Sequence, residues 1–148
     1  MLVKLTPEQI AREWEAIKTA VVNSLPPIAA GAEDRTSNIL NSLLIGQLHC
    51  WVGTNDANRI IAIIITSVVS DSASGIKSLL IYSMYSFANL TDRDWAEGFV
   101  TFKHFAKSIG CNRICAYTEV PKIINLFKRV GEAKYTFVSM GVDDENIS

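Results

Sequence analysis

Apolar residues recur every three or four positions near the start of the chain, which is the spacing of a helix with one buried face. The stripe consists of Ile10, Trp14, Ile17, Val21 and Leu25. Thr6-Pro7-Glu8-Gln9 precedes it and matches a capping box with proline at the first helical position. The pattern predicts a helix from Thr6 to the Pro26-Pro27 pair, followed by a shorter helix over about 37–44.

Three stretches rich in β-branched and aromatic residues follow, at 47–54, 60–69 and 77–87. Short polar segments at 55–58 and 71–75 separate them, which predicts an antiparallel meander. The strands show little alternation between polar and apolar residues. We therefore expect both faces of the sheet to be covered.

The second half of the chain alternates helices and strands. Thr91-Asp92-Arg93-Asp94 matches a helix-capping signature, and the apolar stripe after it consists of Trp95, Phe99, Phe102, Phe105, Ala106 and Ile109. Gly110 ends this helix; a strand at 112–118, a helix over 121–131 and a last strand at 135–140 complete the order. The pattern predicts an α/β fold with a mixed, mostly antiparallel sheet and helices on both faces.

Composition and charge limit the classes of function. A length of 148 residues predicts a single domain over 1–148, with flexible ends at 1–5 and 141–148. A net charge of −1 argues against a nucleic-acid partner, although 101–135 carries seven Lys/Arg against two Glu, as an anion-binding segment does. No apolar run reaches the roughly 20 residues of a membrane span and no signal peptide is visible, so we expect a cytoplasmic protein.

The order of elements resembles the GNAT superfamily of acetyl-CoA-dependent N-acetyltransferases over about residues 6–140. The resemblance is strongest in 77–134, where Leu126-Phe127-Lys128-Arg129-Val130-Gly131 is similar to the family's Leu-Tyr-x-x-hydrophobic-Gly-Phe. It implies a splayed sheet in which the pantetheine arm of acetyl-CoA lies between the 77–87 and 112–118 strands. It also implies a pyrophosphate at the N-terminus of the helix that starts at Thr91. The cofactor-binding candidates are Phe87, Asn89, Thr91 and Arg93.

Three departures from the family's pattern predict that acetyl transfer has been lost. The segment 87–94 contains no glycine and carries two aspartates, whereas the family has a glycine-rich loop there that wraps the pyrophosphate. Phe127 stands where the family has its general-acid tyrosine, and Val120 where it often has an asparagine. The primary hypothesis is therefore a binding or assembly module without a cofactor, whose partner is another protein or a second copy.

Two alternatives to this hypothesis stay open. The first is an active N-acetyltransferase that uses acetyl-CoA and a small-molecule amine acceptor. The second is a domain that binds a small molecule or peptide in the same gap without acyl transfer. The layout is also similar to that of internal virion proteins of short-tailed bacteriophages, which would place the protein in the virion.

Candidate catalytic residues are few. Glu119 is the best-placed general base, just past a strand that faces the gap, with Asp71 and His104 as weaker candidates. Tyr85 is the phenol best placed to replace the missing acid, and strand alternation puts Tyr82 on the other face. The three cysteines and two histidines do not form paired ligand motifs, so we expect no metal site.

Overall fold

The computed structural model describes residues 1–26, 29, 35–118, 121–131, 138, 140 and 142. The chain divides into two compact units, Met1–Tyr117 and Thr118–Ser148. The first unit contains a five-stranded sheet and four helices, and the second contains one described helix. The predicted last strand at 135–140 falls mostly outside the described residues.

The first unit begins with three helices, α1 (Pro7–Arg12), α2 (Trp14–Val22) and α3 (Thr36–Leu44). The capping box of α1 is confirmed, because Thr6 Oγ1 accepts from the Gln9 amide and Gln9 Oε1 accepts from the Thr6 amide. The single helix predicted over α1 and α2 is wrong at Glu13, where a φ of −102° and a ψ of 17° interrupt it. The apolar stripe continues across this break, since Ile10 and Ile17 are buried in one cluster.

The sheet has the order β1-β2-β3-β4-β5. Its strands are β1 (Leu2–Lys4), β2 (Leu48–Thr54), β3 (Ile60–Ser70), β4 (Lys77–Ser86) and β5 (Arg113–Ala116). All neighbours are antiparallel except β4 and β5, which are parallel. The predicted meander is confirmed in β2–β4. The sequence did not predict β1, because a strand of three residues is too short to show a periodic pattern.

A long helix, α4 (Asp92–Ser108), connects the parallel strands β4 and β5, and α5 (Pro121–Gly131) belongs to the second unit. The predicted Gly110 stop is confirmed by a φ of 82°, a backbone conformation that glycine adopts without strain. α5 is the next described element after β5, and it begins at Pro121, the predicted first residue of this helix.

Both faces of the sheet are covered, as the strand pattern predicts. On one face α1–α3 pack on the sheet through Ile10, Ile17, Ala20, Val21, Leu43, Cys50, Ile63 and Ile65. On the other face Trp51 contacts Phe102 and Phe105 of α4 edge-to-face, with ring centroids 5.3 and 4.9 Å apart. Cys50 and Trp51, which are consecutive in β2, therefore pack against helices on opposite faces of the sheet. The mixed α/β fold is confirmed.

Candidate functional site

The two parallel strands pair over only part of their length. Hydrogen-bonded register runs from Ser78 beside Arg113 to Ile81 beside Ala116, where β5 ends. β4 continues to Ser86, so its last five residues extend past the final β5 pair. Among the described residues, no strand pairs with this end of β4 on the β5 side. We call this unpaired edge the opening; it lies where the resemblance implies a gap.

A β-bulge lies where the opening begins. Thr66 of β3 pairs with Ile81, but its neighbour Ile65 pairs with Ser83, so Tyr82 is the extra residue of β4. A bulge of this kind bends the strand and changes which side chains share a face. Tyr82 and Tyr85 therefore both pack against the α1–α3 cluster. The prediction that Tyr82 lies on the face opposite Tyr85 is wrong for this reason.

The phenol of Tyr82, beside the opening, has a shifted pKa. The pKa of Tyr82 is raised, first by burial and then by the nearby phenol of Tyr117. Tyr82 is consequently a neutral hydroxyl that keeps its proton at physiological pH, which suits a hydrogen-bond donor or a general acid. Tyr85, the phenol that the sequence analysis selected, is half-buried and contacts Phe87 edge-to-face at 5.1 Å.

A cleft of about 610 Å³ lies beside Tyr82. Its lining comes from α3, from the start of β2 and from the end of β3, and includes Asn38, Ile39, Ser42, Gln47, Leu48 and Val68. His49 and Tyr82 also line it, so the lining side chains are amides, hydroxyls, an imidazole and aliphatic groups. The cleft can therefore make neutral hydrogen bonds and apolar contacts with a bound molecule.

The N-terminus of α4 is occupied by its own side chains. Asp94 Oδ2 accepts from the Thr91 amide at 2.8 Å, and Thr91 Oγ1 accepts from the Asp94 amide at 3.1 Å. Hydrogen bonding of the Asp94 carboxyl to Thr91, first to its backbone amide and then to its side chain, lowers the pKa of that carboxyl, so it is ionised at neutral pH. The carboxylate satisfies an amide that an anionic ligand at a helix N-terminus would otherwise use.

The other cofactor-binding candidates offer little to a phosphate. Arg93 Nε pairs with Glu97 at 3.0 Å, one turn along the helix. Phe87 is 54% exposed and donates its amide to the Ile61 carbonyl, while Asn89 is an exposed residue of the connecting segment. The residues present at this helix end therefore do not fit the diphosphate of acetyl-CoA.

Two of the remaining catalytic candidates, Asp71 and His104, do not lie at the opening. Glu119 lies outside the described residues, as does Val120. Asp71 Oδ2 accepts from the Ser74 amide and hydroxyl in the turn between β3 and β4, and His104 is exposed on α4. Phe127 lies on α5, in the second compact unit.

Two of the three cysteines, Cys50 and Cys111, are buried, and Cys115 is half-buried. Cys50 is fully buried, and burial raises its pKa to about 12, so its thiol does not ionise at neutral pH. No group of three or more metal-ligating side chains occurs within the described part of the chain. Among the described helices, none is both long and apolar enough to cross a membrane.

Comparison with known proteins identifies the fold. No family model and no curated protein sequence matches the chain. Among solved structures, a probable acetyltransferase is similar with a TM-score of 0.68 and 13% identity, over 98% of this chain and 99% of that one. An aminoglycoside N-acetyltransferase in complex with CoA gives a TM-score of 0.63 and 11% identity, over 95% and 97%. A GNAT family acetyltransferase of Staphylococcus aureus subsp. aureus USA300_TCH1516 gives 0.60 and 10%, over 95% and 96%.

Proposed function

We propose that this GNAT-like chain has lost acetyl transfer and serves as a binding or assembly module. The observation that carries the proposal is the capping box of α4, in which the Asp94 carboxylate takes the Thr91 amide. An acyl-CoA cofactor needs its diphosphate held at that helix end in the arrangement that the resemblance implies. A fold can persist after the activity of its relatives is lost, because fold and function separate readily.

Charge at the helix end supports the proposal. Asp92 and Asp94 both lie in the first turn of α4, where negative side chains already satisfy the helix dipole. A diphosphate placed there would be repelled by both carboxylates. Arg93 is the one cation of this turn, and it pairs with Glu97. The glycines that would let the backbone wrap a phosphate are absent from 87–94.

The side chain at the family's general-acid position gives independent support. Phe127 has no hydroxyl and cannot donate a proton to a leaving thiolate. The module would then use the opening next to β4 and the cleft at Tyr82 for contact with a protein partner or a second copy of the chain. A virion-associated role in a bacteriophage is one setting for such a module, and it rests on the layout of elements alone.

The alternative function is an active N-acetyltransferase with a small-molecule amine acceptor. One observation favours it, namely the opening between β4 and β5 with a bulge at Tyr82 and a phenol that keeps its proton. In that case Tyr82 or Tyr85 would supply the acid, and Glu119 the base. The solved aminoglycoside N-acetyltransferase, which was determined with CoA, illustrates the reaction class.

Binding of acetyl-CoA separates the two functions. We expect millimolar acetyl-CoA to leave the melting temperature unchanged and to give no saturable heat in calorimetry, since a ligand of the native state must raise its stability. The double variant Asp92→Asn/Asp94→Asn removes both charges but keeps side chains that can cap the helix. It should bind more acetyl-CoA than the wild type, whereas Glu15→Gln, which removes an exposed carboxylate on α2, should not.

Two results would contradict this proposal. A saturable shift of several degrees for the wild type would overturn the proposal in favour of the transferase. A double variant that gains no binding would contradict the role given to the two carboxylates. Self-assembly is tested separately by light scattering on a size-exclusion column, where we expect a defined oligomer; a monomer at every concentration would contradict self-association.

A further inference from the structure

A cavity of about 60 Å³ lies on the α4 face of the sheet, away from Tyr82 and Tyr85. Ile64, Ile81 and Met84 line it from the strands, and Trp95, Gly98 and Phe102 line it from α4. Its volume is several times the roughly 10–15 Å³ that one water needs. The walls are almost entirely apolar, so the cavity favours a molecule with an apolar body.

One polar atom of this wall lacks a protein partner. The Nε1 of Trp95 is buried, and no acceptor for it is present in the described residues. Trp51, on the same side of the sheet, donates its Nε1 to Thr66 Oγ1 at 2.9 Å. Buried indole N–H groups are normally hydrogen-bonded, so the unpartnered donor of Trp95 indicates an acceptor that is not among the described residues.

Gly98 lines the cavity, and the fold does not require a glycine at this position. Gly98 lies inside α4, where alanine would favour the helix more. Its backbone does not need a positive φ, and a Cβ built on it would meet nothing within 4 Å. Neither strain nor a close approach therefore requires glycine here. A side chain at this position would enter space that the glycine leaves open.

Charged residues at the edge of the cavity are already satisfied. Asp94 accepts from Thr91, Glu97 pairs with Arg93, and the N-terminal ammonium of Met1 donates to the Thr54 carbonyl at 2.7 Å. A charged ligand would find no free counter-charge among these groups. We propose that the cavity binds a small uncharged molecule whose apolar body contacts the strands and whose single acceptor oxygen receives the Trp95 indole N–H.

Indole resonances of the full-length protein test this proposal directly. The ¹⁵N-labelled chain is titrated with 2-butanone, a ketone with an apolar body and one acceptor oxygen. We expect the Trp95 indole N–H resonance, assigned through Trp95→Phe, to move downfield and saturate. The Trp51 indole, whose acceptor is Thr66, is the internal reference and should not move.

Two variants on the same helix make the test specific. Gly98→Leu fills the cavity and should weaken ketone binding about tenfold or more without lowering the melting temperature. Val100→Leu enlarges a side chain on α4 that is 54% exposed and should leave binding unchanged. Gly98→Ala, which adds one methyl group, provides a milder version if Gly98→Leu does not fold, and it should still weaken binding.

Other results would overturn the proposal. The Trp95 resonance could instead stay unchanged on addition of the ketone and show transfer of magnetisation from water. That result would mean that the cavity holds an ordered water only. A shift that is equally large in Gly98→Leu or Gly98→Ala would place the ketone elsewhere. Because acetyl-CoA plays no part in this titration, its outcome is independent of the function proposed above.

Discussion

The hydroxyl of Thr66 is the polar centre of the core beneath α4. It is fully buried, accepts from Trp51 Nε1 at 2.9 Å and lies 3.0 Å from His49 Nδ1. One oxygen thus accepts from the indole and can donate its own proton to the neutral imidazole. The same side chain sits on β3 next to the bulge, so it connects the packing of α4 to the geometry of the sheet.

Thr66→Val should destabilise the protein more than its small change in shape suggests. The substitution leaves the Trp51 indole donor buried without an acceptor, which costs about 1–3 kcal/mol. Urea unfolding followed by tryptophan fluorescence measures the difference in the free energy of unfolding. Thr66→Ser keeps the hydroxyl and should recover most of that loss; equal losses for both variants would show that packing of the methyl group dominates.

Acidification should weaken the native state through His49. Burial, and then the positive charge of Lys4, lower the pKa of His49 below its ordinary value of 6.5. Since the unfolded chain binds the proton more readily, stability is greatest above pH 6.5 and falls as the pH drops toward the lowered pKa. The melting temperature should decrease as the pH falls below about 6.5. His49→Gln should reduce that decrease, and parallel slopes for the two proteins would contradict the assignment.

At the scale of single elements, the capping box stabilises the start of α4. Thr91→Ala removes the side chain that accepts from the Asp94 amide and should cost about 1 kcal/mol in urea unfolding. Thr91→Ser retains the accepting oxygen and should behave like the wild type. An unchanged free energy of unfolding in Thr91→Ala would mean that the helix end is satisfied in another way.

Helices with strong periodic stripes were predictable, and so were their caps. The Thr6–Gln9 and Thr91–Asp94 boxes follow from residue type and spacing alone, because the hydrogen bonds are local. The bulge was not predictable, since one inserted residue leaves the composition of β4 unchanged. Its effect is nevertheless large: it moves Tyr82 to the face of Tyr85, and pleat alternation alone gives the opposite assignment.

On the scale of the whole molecule, the order of elements was sufficient to predict the fold. Strands without polar alternation correctly indicated a sheet covered on both faces, and the helix between β4 and β5 correctly indicated a parallel pair. The edge strand β1 was not visible, because its pairing with β2 joins residues distant in sequence. The site was less predictable: its opening depends on where β5 ends, and the cavity beneath α4 depends on packing that sequence spacing does not encode.

The sheet topology also sets an order for the folding of the chain. The β2–β3–β4 meander is joined by short turns, whereas β1 must pair with β2 across α1–α3, and β5 must pair with β4 across α4. Closing longer loops costs more entropy before any contact compensates for it, so the meander should form first. Pulse-labelled hydrogen exchange should protect the amides of β3 before those of β1 and β5. The opening beside Tyr82 would then be one of the last features that the folding chain completes, and simultaneous protection of all five strands would refute this order.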